Sequence, residues 1–599
     1  MRVEWRREIP DDEALRQRWN ALASAMEHPE VFYTYEWAAA VQRAYGKQLV
    51  PLLALCYEGE CLVGVASLAT DSSDRNARFL SSTTADYCDF ISHPEQRRAV
   101  IQAVMKELAG LKIEQVTLAN LPADSASAPW VRVVGTNTGY HTFSRPAYLC
   151  ARVRLGSAEQ RSELQRLALG RKVLRRQQNS LGKEGPLRLR HLNDWDEIQK
   201  ALPHYSIQHV ARFLSTQRLS NLIRPERRLF VQELARLLSG SGWMMLTQLV
   251  ASNRPVAWNY GFRYAGSWFW YQPTFDSSLE RHSPGFCLLS KMVSEACDDE
   301  SILCFDMGLG DEGYKERLAT SSRQTLHITC HQSEWQHLRG VVRYHVARVA
   351  KASPSREERI RAAYVTISEL MGAVRKPGWR ALPARVLHRC RGYWREEVVF
   401  FNHSPAEEMR AGSQSEGMVL RKVDLEMLAT AAMHYADDPE TLTYLLRCAS
   451  RLRTTRDEGF ALVKATGVAV HFCWTGPFEG FFISELKTSL QETEPDSYLI
   501  FDCWTPLQQR RRGYYSLALR MLARRLQLQG KRPWVFCAAS NQGSTKGIEN
   551  AGFERRYTVT RHRLRGTKRK DIDGEPSSMQ AGIPQQAVNL QYESSGRSS

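Results

Sequence analysis

The stretch Ser497–Phe553 limits the fold more than any other part of the chain. SYLIFDCW, Ser497 to Trp504, is rich in aromatic and β-branched residues and predicts a strand. A basic loop with a glycine follows, Gln508, Gln509, Arg510, Arg511, Arg512, Gly513, Tyr514 and Tyr515, and then a helix from Ser516 to Gln529. A second strand, PWVFCAA, runs from Pro533 to Ala539. Such a loop aims free backbone N–H groups over the helix N-terminus, where the helix dipole adds roughly half a positive charge. This is an anion site that a phosphate would fit. Beyond it, Asn541, Ser544, Ile548, Gly552 and Phe553 are spaced 3, 4, 4 and 1 residues apart.

Composition sets the outer limits. At 599 residues the chain is too long for one core and predicts about three or four units. No apolar run approaches the ~20 residues a membrane helix needs, and MRVEWRREIP lacks an apolar signal core, so a cytoplasmic protein is expected. The 13 cysteines are scattered and never form C-x-x-C, which predicts neither a disulfide framework nor a metal site. The net charge of +17 favours acidic partners: nucleotide cofactors, nucleic acid or an anionic membrane face.

In chain order, residues 1–150 read as one α/β unit, with a hairpin of Val50 to Cys56 and Cys61 to Ala69 turned at Gly59. No glycine-rich loop precedes its helix, Ala99 to Leu108, so this unit is expected to support a site rather than cradle a cofactor. Residues 151–335 repeat the pattern. Leu164 to Asn179 is a basic helix interrupted at Gly170, and Trp243 to Leu249, Pro255 to Tyr264 and Ser267 to Pro273 are three strand signals in a row. Ser283 is placed to cap a helix with Pro284 at its first position, and Gly285 would let a ligand approach the backbone closely. The strand Ile302 to Asp306 and the loop Gly308 to Lys315 complete the unit. From Arg339 to Arg395 there are fourteen Lys or Arg against three Glu and no Asp, which predicts a basic helical linker over 336–400. This linker could lie on an anionic membrane. Spaced aromatics for base stacking are few, which disfavours nucleic acid. Residues 401–565 form a further unit with helices Leu425 to Tyr435 and Pro439 to Arg451, and 566–599 are expected to be a disordered tail.

Two resemblances follow from these motifs. Strand, R-x-x-G loop at Arg510 and Gly513, helix, strand and the Asn541–Ser544–Ile548–Gly552–Phe553 spacing resemble the acyl-CoA-binding half of GNAT N-acyltransferases. Two positions depart from that pattern: Tyr515 stands where a second glycine or alanine is usual, and Ile548 where a tyrosine often protonates the leaving thiolate. Over residues 1 to 330, V-F-x-T-Y-E-W, D-Y-x-D-F-I at Asp86 to Ile91, A-W-x-x-G-F, P-x-F-D, S-P-G at Ser283 to Gly285 and D-x-G-x-G-x-x-x-Y-K from Asp306 to Lys315 resemble the BioF2-like acetyltransferases. That family is linked to exopolysaccharide biosynthesis and related to the FemAB aminoacyltransferases.

The resemblances imply an α/β (α+β) fold with tandem GNAT-like domains, three in all, each a mixed sheet flanked by helices. They also imply acyl transfer from acetyl-CoA or another acyl-CoA to an amine-bearing small molecule or glycan precursor. The pyrophosphate would rest on N–H groups from Arg511 to Ser516 with charge from Arg510, Arg511 and Arg512, and Asn541 and Ser544 would contact the pantetheine. Ser283 and Gly285 occupy comparable positions in the earlier unit. Asp502 or Glu479 would serve as base, while Asp306, Tyr314 and Lys315 are the polar candidates of the 151–335 unit. Cys503, with no adjacent His to activate it, reads as a buried strand cysteine. The competing readings are a structural protein of exopolysaccharide assembly and, through the FemAB relationship, aminoacyl transfer from charged tRNA.

Overall fold

The computed structural model describes residues 1–351 apart from Ser72 and Asp311, residues 394–403, residues 417–564 apart from Glu485, Glu492 and Thr493, and residues 567–573. The fold is mixed α/β and divides into two units. One comprises Met1–Ala373 with Asp424–Arg453, the other Val374–Val423 with Thr454–Ser599.

The first unit begins with β1 (Arg2–Arg6), α1 (Glu13–Ser24), α2 (Tyr35–Tyr45), β2 (Val50–Glu58), β3 (Cys61–Thr70), β4 (Asn76–Phe79) and β5 (Ile91–Ser92). Then come α3 (Arg97–Gly110), β6 (Gln115–Pro122), α4 (Ser127–Asn137), β7 (His141–Arg154), α5 (Ala158–Leu164) and α6 (Lys172–Leu181). Its second half holds β8 (Arg188–Leu192), α7 (Trp195–Ser215), α8 (Pro225–Gly240), β9 (Met244–Ala251), β10 (Arg254–Tyr264) and β11 (Ser267–Phe275). It ends with α9 (Pro284–Asp298), β12 (Cys304–Leu309), β13 (Ser321–His331) and α10 (Glu334–Lys351).

Local chemistry explains many of these boundaries. Asp12 caps α1 by accepting from the N–H groups of Ala14 and Leu15. The β2–β3 hairpin turns at Gly59, whose φ of +59° suits glycine, and it closes with Glu58 opposite Cys61. The basic helix expected from Leu164 breaks at Gly170 into α5, a short π-helical turn and α6.

All these strands form one 13-stranded sheet in the order β1-β2-β3-β4-β6-β13-β7-β12-β11-β10-β9-β8, with β5 on β3. Two pairs are parallel, β4 with β6 and β11 with β12, and each keeps register over three residue pairs. The centre is a strand exchange. β7 follows the first half in sequence but pairs with β12, whereas β13 follows the second half but pairs with β6, and β7 and β13 pair with each other. The two halves therefore share one backbone ladder, and separating them would break it.

In the second unit, β14 (Trp394–His403), β15 (Met418–Lys422), β16 (Glu458–Lys464) and β17 (Ala469–Pro477) are followed by the two-residue strands β18 (Phe482–Ile483) and β19 (Thr488–Ser489). Then come β20 (Ser497–Trp504), β21 (Arg532–Ala538), β22 (Phe553–Leu564) and β23 (Thr567–Asp573). The main sheet has the order β15-β16-β17-β20-β21-β14-β22-β23. Helices α11 (Leu425–His434) and α12 (Pro439–Thr454) precede β16 in sequence, yet Asp424–Arg453 groups with the first unit. The reason is a small-residue face: α11 buries Leu428, Ala429, Ala431 and Ala432 and packs on α7. Helices α13 (Tyr514–Leu528) and α14 (Gln542–Glu549) belong to the second unit.

The expected helical linker and disordered tail are corrected where the structure describes them. Trp394–His403 is a strand between β21 and β22, because the apolar run Val398–Phe401 is buried within the sheet. Thr567–Asp573 is an edge strand on β22, since main-chain ladder bonds do not require apolar side chains. The rest of the linker, residues 352–393, and the tail, residues 574–599, lie outside the described residues.

Candidate functional site

Both units contain the same local device. Parallel strands part company, a bulge interrupts the first of them near the parting, and a helix starts beside it with its N-cap in the left-handed conformation. In the first unit, β11 and β12 pair only from Ser267 to Phe269 against Cys304 to Asp306. Beyond that point Tyr260 faces Gln272 while Phe262 faces Phe269, so Trp270 and Tyr271 together oppose Gly261. A bulge of this kind leaves ladder groups unpaired and re-aims side chains. Helix α9 then begins with Ser283 at φ +53°, Pro284 and Gly285. Ser283 does not cap through its own hydroxyl, which accepts from Gln177 Nε2 at 3.1 Å. His282 Nδ1 lies 2.8 Å from Ser180 Oγ. The basic helix α6, with Lys172, Arg175 and Arg176 exposed, is thereby held beside the N-terminus of α9.

At the parting itself stands Asp86, delivered by the first half. Its carboxylate accepts from the N–H of Leu309, and Oδ2 lies 2.5 Å from the place a Cβ would occupy on Gly308. Gly308 has φ +68°, so only glycine accommodates both the backbone and the carboxylate. Burial, reinforced by the nearby Asp306 carboxylate, pushes the Asp86 pKa up to about 7 against the opposing pull of Lys315. Tyr271 donates to Thr84 O, and Arg227 donates to the Tyr271 hydroxyl at 2.9 Å.

The three polar candidates of this unit occupy different surroundings. Asp306 is fully buried and accepts from Arg152 Nε at 2.7 Å, the Tyr87 hydroxyl at 2.9 Å and the Gly308 N–H at 2.8 Å. Arg152 also reaches Glu30 at 3.1 Å, and Glu30 pairs with Arg323. Burial works against the charge on Arg152, but Asp306, Tyr87 and Glu30 outweigh it and raise its pKa. Asp306 is thus an anchor of the strand exchange, corrected from a group open to substrate. Lys315 is buried, its Nζ bonding Leu309 O at 2.9 Å and Glu312 at 2.6 Å. It holds the strand end on which Asp86 leans. The Tyr314 hydroxyl accepts from Trp270 Nε1 at 3.2 Å, which places it at the bulge, and burial pushes its pKa up to about 12.

The second unit repeats the device with different side chains. β20 and β21 pair from Ser497 to Ile500 against Arg532 to Val535 and then part. Phe472 faces Trp504 while Trp474 faces Phe501, so Asp502 and Cys503 bulge opposite Cys473, with Asp502 at φ +47°. Helix α13 begins with Gly513 at φ +75°, Tyr514 and Tyr515. Arg510, Arg511 and Arg512 are exposed before it, and Arg510 lies over the Trp504 ring at 5.2 Å.

Several predicted residues are engaged elsewhere in this unit. Asn541 caps α14 by accepting from Ser544 N at 3.1 Å, and Ser516 donates to Gly547 O at 2.8 Å. Ile548 is core. Tyr514 packs on Leu462 and Val470. Glu479, the alternative base, follows Pro477, which pairs with Tyr498 near the start of β20, so it stands towards the other end of that strand from the bulge at Asp502. Cys503 is half-buried, and desolvation holds its thiol well above the ordinary range.

The decisive difference is at the second helical position. In α9 it is Gly285; in α13 it is Tyr515. The Tyr515 ring fills the space between the two strands and α14: its Cδ1 is 2.6 Å from where a Cβ would stand on Gly547, and its centroid is 5.5 Å from that of His471. Ser544 hydrogen-bonds its hydroxyl, and Cys503, Cys473 and Cys537 surround it.

Asp86 was missed as a site residue although its motif was read. Its importance depends on burial against Gly308, and the neighbouring Tyr87–Asp306 contact joins residues 219 apart in sequence. No local pattern announces such a contact.

Among solved structures, a conserved protein of unknown function from Bacteroides thetaiotaomicron shows 11% identity over 55% of this chain and 100% of its own, with a TM-score of 0.40. FemX shows 7% identity over 55% of this chain and 97% of its own, TM-score 0.40. A tandem GNAT protein from the clavulanic acid biosynthesis pathway shows 14% identity over 55% of this chain and 99% of its own, TM-score 0.34. No curated protein matches the chain. Residues 169–316, which span α6 through α9 to the loop after β12, match the family model described as acetyltransferase (GNAT) domain, so this stretch is similar to the domains of that family.

Proposed function

We propose that the chain is an N-acyltransferase whose reaction centre is the parting of β11 and β12, with an acyl-CoA as donor and a primary amine as acceptor. The observation that carries this reading is the Asp86 carboxylate, with its pKa raised to about 7, at the end of the parallel pair and beside the bulge. A primary amine is mostly protonated at neutral pH, so attack on a thioester needs a base whose pKa lies near the working pH. The donor pyrophosphate lies at the N-terminus of α9, with Ser283 and Gly285 allowing close backbone approach and α6 adding positive charge. Backbone N–H groups of the Trp270–Tyr271 bulge polarise the thioester carbonyl. Asp86 takes the proton from the amine, nitrogen attacks the carbonyl carbon, the C–S bond breaks, and Tyr314 is placed to protonate the leaving thiolate.

In the second unit, Arg510, Arg511, Arg512 and Gly513 form an anion cradle that takes the nucleotide phosphates of a CoA. Tyr515 stands in the path of its pantetheine arm. That ring supports a second reading for this unit alone, a phosphate-holding module without turnover. The acceptor we propose is an amine-bearing glycan precursor; the ordered motifs from Val31 to Lys315 support it. Cytoplasmic placement fits a CoA donor, and among the described residues no helix is long and apolar enough to cross a membrane.

The test is release of free thiol from acetyl-CoA and longer acyl-CoAs by the whole chain against a panel of amines and amino sugars, with D86N beside the wild type. Amine-dependent release that D86N loses, with donor affinity unchanged, is the expected result. Turnover that survives in D86N would sink the assignment of the base. Transfer from charged tRNA but from no acyl-CoA would sink the donor.

A further inference from the structure

Helix α10 (Glu334–Lys351) closes the first unit by packing one face on the exchanged strands. Tyr344 meets Phe143 at 5.5 Å between ring centroids, Arg145 lies over the Tyr344 ring at 5.4 Å, and His337 meets His141 at 5.8 Å. The opposite face is unusual. Trp335 is 71% exposed, Leu338 52%, Val342 52% and Val346 62%. Their spacing of three, four and four residues sets them in one stripe along the helix, since each residue turns the helix by about 100°.

Arg339 and Arg343 are exposed along one edge of that stripe, Arg348 is exposed further round the helix, and the acidic Glu334 sits at the N-terminal end. We infer that this face docks the first unit on a bilayer surface bearing anionic headgroups, the apolar stripe entering the interface and the arginines pairing with lipid phosphates. An apolar stripe flanked by cations is what a helix lying in such an interface requires, and a tryptophan at its end suits the boundary between headgroup and acyl chain.

Charge complementarity selects this occupant over two others. A second copy pairing through the same face would bring Arg339 and Arg343 close to their own counterparts. A nucleic acid would use the arginines but leave Leu338, Val342 and Val346 with nothing to bury against. The inference is independent of the chemistry proposed at Asp86.

The experiment is co-sedimentation of the full chain with vesicles of phosphatidylcholine alone and of an equal mixture of phosphatidylcholine and phosphatidylglycerol. Wild type should bind the mixed vesicles at least about tenfold more tightly, and added salt should weaken that binding. L338E/V342E should lose it, and R339Q/R343Q should weaken it severalfold. Because these positions face solvent, unchanged circular dichroism and thermal melting would show that each variant is folded. The inference fails if wild type ignores the mixed vesicles or binds both kinds equally. It also fails if L338E/V342E binds like wild type, which would place the contact elsewhere in the chain. Dissociation of a wild-type dimer by L338E/V342E without any vesicle binding would make the face a self-association surface instead. Salt-sensitive tRNA binding that R339Q/R343Q abolishes, again without vesicle binding, would make it a nucleic-acid surface.

Discussion

The two partings of parallel strands, β11 from β12 and β20 from β21, share a bulge and a left-handed helix cap, yet they differ at the second residue of the helix. Gly285 adds no side chain of its own to the first parting, where the Phe275 ring lies beside it, and an acid from across the sheet, Asp86, reaches its end. Tyr515 fills the second with an aromatic ring held among three cysteines, His471 and Ser544. The chain therefore keeps its recognisable basic loop in one unit and its candidate base in the other. A phosphate-binding signature and a reaction centre are separable properties: the first depends on backbone N–H groups and local charge, the second on space between strands and a group whose pKa burial has moved.

The sharpest way to break this contrast is D86N. Loss of the base should lower kcat by about 100-fold to 10,000-fold with little change in donor affinity. The wild-type rate should rise with pH through an apparent pKa of about 7, and D86N should flatten that limb. Stability moves the other way. A carboxyl whose folded pKa is raised contributes stability that is fully present below the ordinary carboxylate range and is lost as pH rises towards about 7. D86N should therefore melt higher than wild type at about pH 8 and show little gain near pH 4. A pH-independent difference in melting temperature would remove the raised pKa from the account.

Y515A tests the other side. Removing a packed aromatic ring should cost about 3–5 kcal/mol of stability in the second unit, by analogy with Phe and Trp truncation. The opened space should admit a pantetheine arm, so calorimetry should show CoA binding at least about tenfold tighter than wild type. Tighter binding of CoA with no change for a nucleotide lacking the arm would locate the obstruction; equal gains for both would refute it.

The reciprocal exchange, G285Y, carries the obstruction into the first unit. The Phe275 ring already lies 3.0 Å from the place of a Cβ on Gly285, so overpacking of about 1–3 kcal/mol is expected. The KM for the acyl donor should rise roughly tenfold to 100-fold, and kcat at saturation should fall less. The smallest effect is expected from replacing Arg510, Arg511 and Arg512 with serine. These exposed cations should change nucleotide affinity in the second unit severalfold, mostly at low salt, and leave turnover at Asp86 intact. Loss of turnover in that variant would move the reaction centre to the second unit.

Much of the secondary structure was legible from the chain. SYLIFDCW is a strand over the residues read, the β2–β3 hairpin turns at Gly59 as the pattern required, and Pro284 opens α9. Those features follow from short-range rules: side-chain period, turn conformations open to glycine, and caps. The sequence also determined that Arg510–Gly513 would form an exposed basic loop ahead of a helix, because loop and helix are adjacent and need no distant partner.

Tertiary structure decided the rest. The exchange of β7 and β13 pairs strands across the two halves, and nothing local in either strand names its partner. Asp306 looked like a polar group offered at a strand end, but Arg152 and Tyr87 close around it, and Arg152 is itself held by Glu30. A buried ion-pair network is a property of three distant segments meeting, and removing one member would leave an uncompensated buried charge. Tyr515 was visible as a departure from the loop pattern, but only its packing against Gly547 and Cys503 made it an obstruction. Asp86 became a candidate base for the same reason. A carboxylate in sequence is a charge in water, and its pKa rises only when the fold removes the water and sets a second carboxylate nearby.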